Sequence, residues 1–353
     1  MVQYESHYYR FKHISIMNIV SFGNEQWEKD YLTARLPGHT FTFVDGFMQD
    51  RTDVADTEAE IVSVFVSSHV GAAEMDRFPK LKYIVTRSTG FDHVDLNEAA
   101  KRGIVVSNVP TYGENSVAEM AFALLLALSR RIYDSYKQVV EKTSFSPKGL
   151  TGFDLKGKTL GVVGTGHIGV YAIKIGKGFG MDIVAYDPFK NDALATELGF
   201  RYVDSFDELL GASDVITLHV PHNDHTHHMI NMNNIAKIKK GAVLINTARG
   251  PVVETLAMVK ALEDGILAGA GLDVLEEEDF MLDETVLLHM EIPAAEKLKN
   301  VLANQYLIDH PRVIVTPHNA FNTKEALERI LAVTAEDIEA FIAGAPKNIV
   351  KSL

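Results

Sequence analysis

Three residues suited to acid–base and anion chemistry stand just past runs that read as strands: Arg249 after AVLINTA, Glu278 after AGAGLDV and His318 after RVIVTP. Arginine offers a planar fork to a carboxylate, and histidine exchanges a proton near neutral pH. A carboxylate beside that histidine would fix its tautomer and aim it at a carbonyl oxygen. In an open parallel sheet a ligand lies beyond the carboxyl ends of the strands, so the three side chains could share one crevice although the chain separates them. By pattern alone, a surface arginine, a solvated acidic run (Glu276, Glu277, Glu278, Asp279) and a capping histidine explain the same residues equally well.

A second constellation is Gly164-Thr165-Gly166-His167-Ile168-Gly169, which follows the apolar run Leu160 to Val163 and precedes a helical stretch. The G-x-G-x-x-G spacing serves a tight first turn, a close approach of pyrophosphate to backbone, and a helix lying against a strand. The helix N-terminus then faces the phosphates. Asp187 ends the next expected strand, at the distance where an acid bonds the adenosine ribose and repels a 2′-phosphate. The expected cofactor is NAD rather than NADP. The cluster His222, His225, His227 and His228 lacks the spacing and the acids of a closed zinc shell, so no metal is expected there.

These residues need scaffolds to hold them. A chain of 353 residues exceeds one ordinary core and points to two domains. From Met17, buried runs (MNIVSF, HTFTFV, IVSVFV, LKYIVT) alternate with short helical stretches, and a boundary falls near residue 115. An apolar helix over 117–131 and a second strand series, KTLGVVGTG to RVIVTP, follow. A last helix spans Lys324 to Ile342; if it packs on the first unit, that domain is discontinuous. The expected domains are 17–115 with 317–353, and 116–316, preceded by an extension over 1–16 that has no apolar signal core.

A formal charge of −13 opposes nucleic acid or an anionic membrane as a partner. With no cysteine there are no disulfides or thiolate chemistry, and the default compartment is the cytoplasm. The longest apolar run, Met120 to Leu128, is far short of the roughly 20 residues that cross a bilayer. Its unbroken hydrophobicity exceeds one amphipathic face, which makes this helix the expected interface of a homodimer.

The segments RSTGFDHVDL (87–96), NVPTYGENSVAEMAFALLLALSRR (108–131), GVVGTGHIG (161–169), INTARG (245–250), GAGLDVLEEE (269–278) and TPHNAF (316–321) resemble the D-isomer-specific 2-hydroxyacid dehydrogenases, most of all their D-lactate dehydrogenase branch. The resemblance runs from Met17 through nearly the whole chain. It implies two doubly wound parallel-sheet α/β domains, a Rossmann-type NAD domain and a flavodoxin-like substrate domain, with the active-site cleft between them. It further implies NAD-dependent reduction of a small, pyruvate-like 2-keto acid to the D-2-hydroxy acid. By the same resemblance His318 is the general acid, Glu278 its partner, and Arg249 the clamp on substrate carboxylate and carbonyl. The amides of Thr89 and Gly90 and the hydroxyl of Tyr112 take the carboxylate, and Phe321 walls the side chain. Thr247, Ala248, Arg249 and Asp273 meet the nicotinamide, His167 and Ile168 the pyrophosphate, and Val220, Pro221 and Thr226 the adenosine. Rival readings are relatives acting on glyoxylate or hydroxypyruvate, 3-phosphoglycerate or bulkier keto acids, and an NAD-sensing corepressor of the same fold. The chain departs from the family pattern at Asp279, where proline is usual, and in a long stretch between Glu278 and His318 that reads as helix, a cover or an oligomer contact.

Overall fold

The computed structural model describes residues 16–278 and 295–351. Residues 1–15 of the extension expected over 1–16, and residues 279–294 of the unusual stretch after Glu278, lie outside the described residues. The chain divides into two compact units, one formed by the chain up to Tyr112 together with Lys324 onward, the other by Gly113–Thr323.

In the first unit β1 (Asn18–Phe22), β2 (Thr40–Val44), β3 (Ile61–Val64), β4 (Tyr83–Thr86) and β5 (Val105–Ser107) are parallel in the order β5-β4-β3-β1-β2. This is the flavodoxin-like order. A two-residue strand, β13 (Ile349–Val350), joins β5 antiparallel at the edge. IVSV and YIVT are buried at every position, as strands covered on both faces must be. Side chains alternate between faces: Ile19, Ile61, Tyr83 and Val85 share one core, Val20, Val62, Val64 and Ile84 the other. The first of these cores is closed by Leu32 of α1 (Gln26–Arg35) and by Leu331, Ala335 and Ile338 of α11 (Lys324–Ile342). Tyr83 stacks on Phe341, with ring centroids 4.3 Å apart. Helices α2 (Ala72–Asp76) and α3 (Leu96–Lys101) complete the crossovers.

The second unit holds β6 (Thr159–Val163), β7 (Asp182–Tyr186), β8 (Arg201–Tyr202), β9 (Val215–Leu218), β10 (Ala242–Asn246), β11 (Leu267–Leu272) and β12 (Val313–Val315). Their order, β8-β7-β6-β9-β10-β11-β12, is all-parallel and is the Rossmann order extended by one strand. Helices α4 (Glu114–Ser129) and α6 (His167–Gly178) cover one face. The other is covered by α8 (Phe206–Ala212), α9 (Thr255–Glu263) and α10 (Ala295–Asp309); α7 (Asp192–Leu198) links β7 to β8.

The apolar sequence of α4 is largely spent inside this unit: Ala118, Ala121, Phe122, Leu124 and Leu125 are buried, and Leu124 lies against Gly271 of β11. The uncovered apolar surface falls instead on the next helix, α5 (Ile132–Val140), which buries no residue and exposes Ile132, Tyr133, Tyr136, Val139 and Val140. Of the helix expected to form a homodimer interface, Val117, Met120, Leu126, Ala127 and Leu128 stay partly exposed. Among the described residues no helix is long and apolar enough to cross a membrane.

Candidate active site

The glycine loop joins β6 to α6. Gly164 has φ +90°, a conformation open to glycine, and a Cβ there would lie 2.6 Å from the carbonyl oxygen of His219. A Cβ on Gly169 would lie 2.0 Å from the carbonyl oxygen of Gly164, so this glycine lets the helix lie against the loop. Gly166 differs: nothing stands within 4 Å of its Cβ direction. The loop is thus closed at its first and third glycines and open at the second, above the first turn of α6, where His167 and Ile168 begin the helix. That is the shape a pyrophosphate needs at a helix N-terminus. Asp187, just past β7, accepts from the Thr165 amide (2.7 Å) and hydroxyl (3.0 Å), which ties it to this loop.

Past β9, Thr226 folds its hydroxyl back onto the carbonyl of Pro221 (2.6 Å), closing the turn that follows Val220. His219 has its Nδ1 sealed from solvent, and desolvation pushes its pKa down to about 4, so it stays neutral. The neighbouring histidines engage one another: His222 bonds His227 (3.1 Å), and the rings of His227 and His228 stack 4.0 Å apart. His228 also bonds Glu276 (2.6 Å). Among the described residues no group of three or more histidines, aspartates or glutamates could hold a metal ion.

Arg249, Glu278 and His318 follow β10, β11 and β12, three neighbouring strands of one sheet, at their carboxyl ends. His318 Nδ1 and Glu278 Oε1 are 2.6 Å apart. Glu278 accepts through its other oxygen from the Leu275 amide (3.1 Å), which fixes the carboxylate. With Nδ1 committed to Glu278, Nε2 is the nitrogen left for proton exchange. Arg249 opens a short 3₁₀ turn (Gly250–Val252), and one of its guanidinium nitrogens donates to the Ala248 carbonyl (2.7 Å).

His318 itself has φ +50°, left-handed backbone that few side chains adopt. Asp273, 1% exposed, holds it there: one oxygen accepts from the Thr316 hydroxyl (2.5 Å) and the Asn319 amide (3.1 Å), the other from the Ala320 amide (2.8 Å). Burial raises the pKa of Asp273, opposed by these bonds. In this arrangement Asp273 is a clamp on the histidine loop. Thr247 is buried, and its hydroxyl has no hydrogen-bond partner among the described residues, leaving a polar atom for an arriving group.

The residues expected to hold substrate fall in both units. Thr89, Gly90 and Tyr112 belong to the first and Phe321 to the second. Within the first, the turn after β4 is pinned by Ser88 Oγ to the Gly90 carbonyl (2.6 Å), Thr89 Oγ1 to the Val109 carbonyl (2.9 Å) and Asn108 Nδ2 to the Thr89 carbonyl (2.7 Å). The Thr89 and Gly90 amides have no acceptor among the described residues. Two charged groups escape a reading of the sequence. Glu276, 6% exposed, bonds His228 and both the amide and the hydroxyl of Thr255 at the start of α9. Arg87 is wholly buried beside the turn.

The model of the D-isomer specific 2-hydroxyacid dehydrogenase NAD binding domain matches residues 122–320. The chain belongs to the D-isomer-specific 2-hydroxyacid dehydrogenases. It is 34% identical over 326 residues to the D-lactate dehydrogenase of Escherichia coli, covering 91% of this chain and 96% of that one. To a glyoxylate reductase of Thermococcus litoralis it is 40% identical over 300 residues, covering 83% and 84%. The D-lactate dehydrogenase of Aquifex aeolicus, solved with NAD and lactic acid, superimposes with a TM-score of 0.82 at 35% identity, over 95% of this chain and all of that one. This dehydrogenase uses NAD, and its open second glycine, closed flanking glycines and α6 N-terminus fit that cofactor.

Proposed function

We propose that this dehydrogenase reduces a small, pyruvate-like 2-keto acid to the D-2-hydroxy acid, with the reverse reaction available, and that Arg249, Glu278 and His318 carry the chemistry. The observation that carries the reading is the 2.6 Å bond between His318 Nδ1 and Glu278, on strand ends adjacent to that of Arg249. When bound, NAD supplies or accepts the hydride at the substrate C2 carbon. Arg249 holds the carboxylate and faces the charge developing on the carbonyl oxygen. His318 gives its Nε2 proton to that oxygen while Glu278 keeps the ring oriented. The free amides of Thr89 and Gly90, with the Tyr112 hydroxyl, take the carboxylate, and Phe321 bounds the side chain. Thr247, Ala248 and Asp273 border the nicotinamide, Asp187 the ribose, and Val220, Pro221 and Thr226 the adenosine. A second copy of the chain pairs through the apolar face of α5, where Ile132, Tyr133, Tyr136 and Val140 are more than half exposed. We place the reaction in the cytoplasm.

Glyoxylate is the second reading, favoured by the 40% identity to a glyoxylate reductase. Following NADH oxidation with pyruvate, glyoxylate, hydroxypyruvate and branched keto acids ranks the substrates. His318→Gln should keep NADH affinity while kcat falls by about 10²–10⁴-fold. Undiminished turnover in that variant removes His318 from the mechanism.

A further inference from the structure

Arg87 follows β4 directly, immediately before the Ser88–Thr89–Gly90 turn, and is 1% exposed. Its guanidinium reaches across β3 to the end of β1. Nη1 donates to Ser21 Oγ (2.8 Å), Asn24 Oδ1 (3.2 Å) and Ser63 Oγ (3.3 Å), and Nη2 to the carbonyls of Phe22 (2.7 Å) and Gly23 (3.1 Å). All five acceptors are uncharged. Burial pushes its pKa down to about 10, opposed through space by the Glu28 carboxylate. The group stays charged at neutral pH. A buried charge of this kind is costly without a counter-ion, and a neutral side chain could have bridged the same oxygens more cheaply.

We propose that Arg87 is a positioning residue for an anionic substrate: its buried guanidinium supplies the positive field that makes the adjacent turn select a carboxylate over a neutral group. The proposal rests on the reading that the Thr89 and Gly90 amides take the substrate carboxylate. It accounts for a fixed cation at the carboxyl ends of β1, β3 and β4, in a chain whose charge of −13 repels anions. The guanidinium stands about two strand spacings, or ~9 Å, from the turn. At an effective dielectric of about 20, unit charges at that separation favour the anion roughly 10- to 20-fold.

The test is calorimetric titration of the NADH-saturated protein with oxamate, an anion, and with its neutral methyl ester. Asn24→Asp sets a carboxylate beside the guanidinium without removing a hydrogen bond, Arg87→Met removes the charge, and Arg87→Lys retains it. Asn24→Asp and Arg87→Met should weaken oxamate about tenfold and leave the ester unchanged, with Arg87→Lys nearer wild type. If Arg87 only braces the loop, Asn24→Asp will tighten that brace, raise Tm and leave oxamate binding untouched, which overturns the proposal. Should Arg87→Met fail to fold, Asn24→Asp decides alone. A wild-type protein that binds NADH but no oxamate overturns the keto-acid reading itself, and this proposal with it.

Discussion

Gly166→Ala separates a cofactor cradle from an ordinary tight turn. Gly166 has φ −68° and ψ −169°, which alanine adopts freely, and no atom lies within 4 Å of the added methyl. The fold should therefore lose less than about 1 kcal/mol, the usual cost of alanine in place of glycine at a helix N-cap. The methyl, however, occupies the space above the first turn of α6 where a pyrophosphate must approach. Losing one charge-assisted bond of about 1.5–3 kcal/mol raises the Kd for NADH roughly 10- to 150-fold. Gly164→Ala and Gly169→Ala should behave in the opposite manner, because their methyl groups meet carbonyl oxygens at 2.6 and 2.0 Å and the loop must move. Fluorescence titration with NADH, alongside calorimetric unfolding of all three variants, gives both readouts. If Gly166→Ala binds NADH as wild type does, or unfolds as early as Gly169→Ala, the cradle is misassigned.

Three further outcomes follow from the same coordinates. Asp187→Asn keeps an acceptor for Thr165 while removing the charge, so the preference for NADH over NADPH should narrow; an unchanged ratio of the two Kd values excludes Asp187 from cofactor choice. Asp337 of α11 is fully buried with one oxygen unpartnered, and burial pushes it up to about 7. The folded protein then holds a proton that the unfolded chain releases near pH 4, so stability falls as pH rises from about 4 through about 7. Asp337→Asn should unfold later than wild type above that window, by on the order of 2–4 kcal/mol, with the gap closing toward pH 4; a gap independent of pH contradicts the assignment. Tyr136→Glu with Val140→Glu on α5 should convert a dimer to a monomer in sedimentation velocity, and a monomeric wild type ends the proposal for that helix.

The two parallel sheets are legible because buried β-branched runs, crossover helices and turn glycines each obey local rules. The glycine loop reads best of all, since its first and third glycines answer a steric demand made by close neighbours and its second leaves open space. What stays illegible is the burial of charge. Glu276 and Glu278 sit two apart in an acidic run that looks solvated, yet one is sealed against Thr255 and the other faces His318. The latter bond joins residues forty apart, a distance no spacing rule encodes, so only the family resemblance makes it readable in advance. Arg87 looks like a surface residue after a strand, because its acceptors come from β1 and β3 and their loops. The apolar run in α4 also packs on α6 and β11, partners that the sequence does not bring to mind together.

The return of α11 to the first sheet sets an order of events during synthesis. Residues 113–323 form a contiguous unit and can collapse as they leave the ribosome, whereas Ile19, Tyr83 and Val85 wait for Leu331, Ala335 and Ile338 before their side of the sheet is sealed. Until residues 324–342 have been made, the strands of the first unit present a greasy flank with no lid. Chaperone dependence, aggregation of nascent chains and intolerance of losing residues 324–342 should all concentrate on that flank.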